Sequence, residues 1–306
     1  MALHPQAVAT IELWSQGPSV TDPGFGLTDI EEERRLAHSE SATEPKESVG
    51  HVEDIDADGV PCRLYRPGVV TSSTQAGVIF FLHGGGFVFG DLDTHDAQSR
   101  RIANRTGCAV FAVYYRRPPE HRFPAAPDDV DTALAWLMVN GPDAGLDTTR
   151  AVSLGDSAGG NLALVAALRN PDVFAATVLV YPFLDPQAGF ASYRDENNGL
   201  TAGEAAWYWK QYARSSADLA SPDLAPLASV GLGTLPPTLV LAAEHDILFG
   251  EDEELARRIA NAGASVELST YPGMIHGFWS NPALFDDAEK SYAEVTAFLR
   301  RHLPLG

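Results

Sequence analysis

The six residues Gly155-Asp156-Ser157-Ala158-Gly159-Gly160 lie between a short apolar run at 151–154 and a helix-forming run at 161–168. Strand, glycine-flanked serine, helix is the order in which a chain lifts a hydroxyl onto a sharp turn. A serine held in such an elbow brings neighbouring backbone close, so Gly155 and Gly159 stand where a Cβ would collide. The following helix directs the positive end of its dipole at Ser157, which favours negative charge there. A glycine-rich turn with no chemistry has the same composition. With 27 glycines in 306 residues, the segment needs support from elsewhere in the chain.

Upstream, His83-Gly84-Gly85-Gly86-Phe87 follows a second apolar run at 78–82. Three consecutive glycines let backbone N–H groups turn toward one point. On this reading the amides of Gly84 and Gly85, with that of Ala158, form an oxyanion hole in which each donor is worth roughly 3 kcal/mol in the transition state. A phosphate-gripping loop is the competing reading. It is disfavoured because no lysine follows in Walker spacing and no GxGxxG pattern continues from the strand.

Five segments in order, HGGGF from His83, VYYRRPPEHRFPAAPDDV from Val113, GDSAGGN from Gly155, EHDILFGE from Glu244 and YPGMIHGF from Tyr271, resemble the hormone-sensitive-lipase family of α/β-hydrolases, in its bacterial carboxylesterase branch. The resemblance runs from about His51 to the end. It implies an α/β-hydrolase fold: a mainly parallel eight-stranded sheet flanked by helices, with a helical cap. It implies residues 1–45 as N-terminal cap helices and 46–306 as the catalytic domain, with a cap insertion at about 186–230. It also implies no cofactor and a small-molecule ester as the substrate.

A serine hydroxyl becomes a nucleophile when a base takes its proton and a third group holds the base in one tautomer. The family order is serine, acid, histidine, and only His276 and His302 lie beyond the acid candidates. His302 belongs to the Arg-Arg-His end of a terminal helix, whereas His276 falls on the family's catalytic histidine. Asp246 matches the family aspartate, just past an apolar strand at 238–243, and Glu244 is the reserve. Glu251, Asp252 and Glu253 read as the acidic first turn of the next helix. Ile247 and Gly250 depart from the family's usual proline and second aspartate.

The resemblance implies a serine carboxylesterase that cleaves short- to medium-chain esters through an acyl-enzyme. An amidase or deacetylase acting on a small metabolite would use the same triad, and a ligand-binding member of the superfamily would keep the pocket without turnover. Phe87 and Val88, beside the glycine loop, and Trp207 and Trp209, on an aromatic helix after Thr201 and Glu204, are the candidate pocket residues. Tyr115, Arg116, Glu120, His83, Asp156 and Asn161 read as bracing residues.

Other function classes are excluded by charge and pattern. The net charge of −20 disfavours nucleic acid and anionic membrane as partners. No apolar run reaches the roughly 18–20 residues of a membrane span, and the N-terminal residues lack a basic flank with an apolar core, so a cytoplasmic protein is expected. No metal-ligand spacing occurs, and Cys62 and Cys108 read as buried free thiols. A homodimer through an edge strand is compatible with the pattern.

If the N-terminal helices help to set acyl size, removing residues 1–40 should change the chain-length preference on nitrophenyl esters from acetate to palmitate. An unchanged profile at unchanged rate would separate those helices from substrate choice.

Overall fold

The computed structural model describes residues 2–68, 77–196 and 198–303. Eight strands form one sheet: β1 His51–Ala57, β2 Val60–Arg66, β3 Gly77–Leu82, β4 Ala109–Val113, β5 Asp147–Asp156, β6 Ala176–Val180, β7 Thr238–Ala243 and β8 Val266–Tyr271. Their spatial order is β1-β2-β4-β3-β5-β6-β7-β8. The β1/β2 and β2/β4 pairs are antiparallel and the others parallel. All eight expected strands are present.

The central strands carry no polar alternation because both faces are covered. Every residue of β3, β4, β6 and β7 is buried. Val78, Phe80 and Leu82 of β3 enter one core cluster, and Ile79 and Phe81 enter the other, on the opposite face. Truncating either phenylalanine of such a strand to alanine costs about 3–5 kcal/mol.

The helices are α1 Pro5–Trp14, α2 Leu27–Ser41, α3 Asp96–Thr106, α4 Ala125–Asn140, α5 Ala158–Arg169, α6 Ser192–Asp195, α7 Ala202–Tyr212, α8 Phe249–Asn261 and α9 Asp286–His302. Helices α3 and α9 pack together over one face, while α4 and α5 pack together over the other. Helix α7 begins at a capping box: Glu204 N donates to Thr201 Oγ1 at 3.2 Å and Thr201 N to Glu204 Oε2 at 2.9 Å.

The N-terminal segment is tied to the rest at several points. His4 N donates to Gly273 O at 2.9 Å, Ser19 Oγ to Glu204 at 3.2 Å, and the Phe25 ring meets Trp207 edge-on at 5.7 Å. Among the described residues no helix is long and apolar enough to cross a membrane.

Cys62 and Cys108 are buried free thiols. Burial pushes the Cys62 thiol up to about 12 and raises that of Cys108 as well. Iodoacetamide at pH 8 should therefore leave both unlabelled in the native protein and modify both in denaturant, as read by mass spectrometry.

Candidate active site

Ser157 follows the last residue of β5 and precedes α5, with φ 53° and ψ −120°, a backbone geometry that non-glycine residues rarely adopt. The turn is fixed from both sides, since Ser157 N donates to Val180 O at 2.9 Å and Phe183 N donates to Ser157 O at 3.1 Å. A Cβ at Gly155 would lie 2.2 Å from Gly159 O, and one at Gly159 would lie 2.0 Å from Leu82 O. Both contacts are with backbone and cannot relax, so these two positions require glycine.

The ends of β7 and β8 supply two further groups. His276, in the loop after β8, places Nε2 3.0 Å from Ser157 Oγ and Nδ1 2.6 Å from Asp246 Oδ2. Asp246 is fully buried, and its Oδ1 accepts the Leu248 amide at 3.0 Å. A carboxylate opposite Nδ1 keeps the ring proton there and leaves Nε2 as a hydrogen-bond acceptor facing the serine hydroxyl. The Tyr181 ring packs on the imidazole at 4.6 Å. Glu244 instead accepts the Gly273 amide at 2.9 Å, which braces the histidine loop and holds its carboxyl below the usual range. Ser157, Asp246 and His276 are thus brought together.

The glycine loop corrects one expectation. The Gly84 amide is already engaged, donating to Asp156 Oδ1 at 3.2 Å, and a Cβ there would lie 2.6 Å from Asp156 Oδ2. Gly85 and Gly86, at φ 107° and 59°, line the cavity beside Ser157, and neither amide has an intramolecular acceptor among the described residues. Gly85 and Gly86, rather than Gly84, therefore carry the loop amides that stand unengaged beside Ser157. Ala158 stands at the first position of α5, directly after Ser157.

Asp156 also accepts Ser280 Oγ at 3.2 Å, and its burial raises the carboxyl pKa. His83 is buried behind the loop, with Nδ1 2.8 Å from Gly84 O and its ring stacked on Tyr115 at 4.4 Å. Desolvation, with His95 adjacent, depresses its pKa well below the ordinary value and keeps it neutral. Arg116 forks onto Asp129 at 2.7 and 2.9 Å, and Asn161 Nδ2 donates to Phe183 O and Leu224 O at 2.8 and 2.9 Å.

The cavity over Ser157, about 260 Å³, is walled by Tyr208, Phe183 and Leu200 on its apolar side. Phe87, Val88, Trp207 and Trp209 are not in its lining, and this corrects the pocket expectation. Phe87 is buried against Tyr212 at 3.8 Å, and Trp209 lies behind Phe183 at 4.3 Å. Trp207 turns to Phe25 and Phe89, and Val88 is wholly buried. Tyr208 lies against Gly86, where a Cβ would come within 2.2 Å of its ring.

Three features escaped the sequence reading. Arg34, mid-helix on α2, donates to Val88 O at 2.8 and 3.0 Å and to Pro118 O at 2.7 Å, and pairs with Glu120 at 2.7 Å. Helical spacing marks it only as one charge among many. His38, Asp91 and Asp93 converge at the surface, with ligand atoms within 4.8 Å of one another, although His38 lies far from the two aspartates in sequence. Finally, Glu251 and Asp252 do form the acidic first turn of α8, but both are fully buried. Glu251 accepts the amides of Leu184 and Asp185 and the Tyr193 hydroxyl, whereas neither Asp252 oxygen has a hydrogen-bond partner among the described residues. Gly250, in place of an aspartate, leaves room for Phe190, whose Cβ would be 2.8 Å from any Cβ there.

Residues 79–280 match the model of the alpha/beta hydrolase fold family. The ethyl acetate hydrolase of Pseudomonas putida is 32% identical over 99% of this chain and all of that protein. Carboxylesterase NlhH of Mycobacterium tuberculosis is 34% identical over 80% of this chain and 79% of its own length. A hyperthermophilic esterase from Pyrobaculum calidifontis superposes with a TM-score of 0.88 at 32% identity, covering 98% of this chain and 99% of that one. Fold and site together define an α/β-hydrolase. Within that class, the chain belongs to the hormone-sensitive-lipase-like carboxylesterase family and is a carboxylic ester hydrolase acting on small-molecule esters.

Burial, and then the neighbouring Asp246, raise the Asp252 pKa well above the ordinary value. The native state therefore keeps a proton that the unfolded chain releases near pH 4, so this group lowers stability as pH rises through and beyond that point. Asp252→Asn should flatten the fall in unfolding free energy between about pH 5 and 8 and raise stability at pH 8, as measured by urea denaturation across that range.

Proposed function

We propose that Ser157 is the nucleophile of a two-step acyl transfer, with His276 as general base and acid and Asp246 as the group that orients it. His276 takes the serine proton while Ser157 Oγ attacks the ester carbonyl. The resulting oxyanion lies against the amides of Gly85, Gly86 and Ala158. Collapse expels the alcohol, which leaves with the proton from His276, and the acyl group stays on Ser157. Water, deprotonated by the same imidazole, then releases the carboxylic acid and regenerates the serine. The single observation that carries this reading is one imidazole within hydrogen-bond distance of both Ser157 Oγ, at 3.0 Å, and a buried carboxylate, at 2.6 Å.

Short to medium acyl chains suit a cavity of about 260 Å³, and the ethyl acetate hydrolase among the relatives supports the short end. Residues 1–45 and the insertion at about 186–230 form the cap in this reading, which rests on the contacts of Ser19 with Glu204 and of Phe25 with Trp207.

Ser157→Ala should lower turnover of nitrophenyl acetate by on the order of a million-fold, about 8 kcal/mol, without changing the circular dichroism spectrum. A serine-directed phosphonate should label the parent at Ser157 and fail to label the variant. A folded Ser157→Ala protein with near-parental rate would remove the serine from this role.

A further inference from the structure

The apolar wall of the Ser157 cavity is thin. Phe183 lines the cavity from the chain after β6, and directly behind it, with ring centroids 4.3 Å apart, lies Trp209 of α7. On the far side of Trp209 a second cavity of about 370 Å³ opens among Ala206, Lys210, Ala213 and Arg122. Its exposed Arg122, Lys210 and Arg214 mark it as a surface opening. Both wall residues are buried, Phe183 at 1% and Trp209 at 4% exposure; Phe183 lines the inner cavity, Trp209 lines the outer one, and the two rings are in contact.

We propose that Phe183 and Trp209 are the specificity-determining partition of this esterase: together they end the acyl site and shut it off from a preformed outer channel. The inference rests on Ser157 being the nucleophile. The leaving alcohol must take its proton from His276, so the alcohol half of the ester occupies the His276 side. The acyl half is left with the wall formed by Phe183, Tyr208 and Leu200. Trp209 contributes by sealing rather than by touching substrate, since it is absent from the lining of the inner cavity. Its indole N–H has no partner among the described residues, so shape rather than hydrogen bonding holds it there.

The two rings act in series, and this gives the proposal a signature that simple loosening of the core lacks. Removing Phe183 alone deepens the inner cavity by one ring. Removing Trp209 alone enlarges a space that substrate does not reach. Removing both joins the inner cavity to the outer channel, and the effects on chain-length preference should exceed the product of the single effects.

The experiment measures kcat/KM on nitrophenyl acetate, butyrate, octanoate and decanoate for the parent, Phe183→Ala, Trp209→Ala and the double variant. Phe183→Leu with Trp209→Leu serves as a milder double variant should the alanine pair fail to fold. Labelling by a nitrophenyl phosphonate is scored at Ser157 in every folded protein. The octanoate-to-acetate ratio should rise about tenfold or more in Phe183→Ala, each methylene in an apolar pocket being worth about ten- to 200-fold. It should change less than threefold in Trp209→Ala and rise most, with decanoate now accepted, in the double variant. A folded double variant that is labelled at Ser157 but keeps the parental ratio would overturn the partition and leave the nucleophile intact. A change confined to a parallel series of acetate esters with lengthening alcohols would overturn the acyl placement. A parent that is not labelled at Ser157 would instead overturn the nucleophile on which the inference stands.

Discussion

A serine backbone forced to φ 53° between a strand and a helix is the constraint on which the rest of the molecule depends. Such a conformation costs about 1–3 kcal/mol and persists only where surrounding structure over-determines it. Here β6 and the chain beyond it clamp Ser157 through the Val180 carbonyl and the Phe183 amide, while α5 runs on immediately with no room for a Cβ at residue 155 or 159. The strain is thus borne by the best-buried part of the sheet, with β5 between β3 and β6. Parallel pairing then delivers the ends of β5, β7 and β8 to the same edge, so groups 89 and 30 residues apart along the chain need only short loops to meet.

Asp156 is the hidden joint of this arrangement. One oxygen takes the Gly84 amide and the other the Ser280 hydroxyl, so the glycine loop, the elbow and the chain just beyond His276 are held by a single buried side chain. His83 plays a parallel part below the loop, kept neutral by desolvation and pinned between Gly84 O and the Tyr115 ring. A rigid network of this kind presents its open amides with little reorganisation, which is the condition under which dipoles stabilise a developing oxyanion most strongly.

The strands, the elbow and the three converging side chains were legible in the sequence because each is signalled locally: apolar runs for buried parallel strands, glycines for close approach, chain order for the serine, acid and histidine. What was not legible depends on direction. His83-Gly84-Gly85-Gly86 offers three equivalent amides on paper, and only the Asp156 contact reveals that the first is already engaged. The aromatic helix carries Trp207, Tyr208 and Trp209 in succession, and the two tryptophans were the natural pocket candidates. Rotation of α7 gives the cavity to Tyr208. Glu251 and Asp252 look like an ordinary acidic helix start, and nothing in their spacing tells that the first turn of α8 is packed beneath the loops after β6.

Arg34 draws the N-terminal helices into the chemistry from a distance. Its guanidinium leaves α2 to grip two carbonyls, one on the glycine loop at Val88 and one at Pro118, and a carboxylate at Glu120. In the proposed cap, entrance and reaction centre are therefore mechanically continuous: a swing of α2 large enough to admit a bulky molecule would also tug on the glycine loop through Val88. In such a protein, access and rate cannot be tuned as separate dials, and any variant selected for a wider mouth would inherit a softer grip on the carbonyl it cleaves.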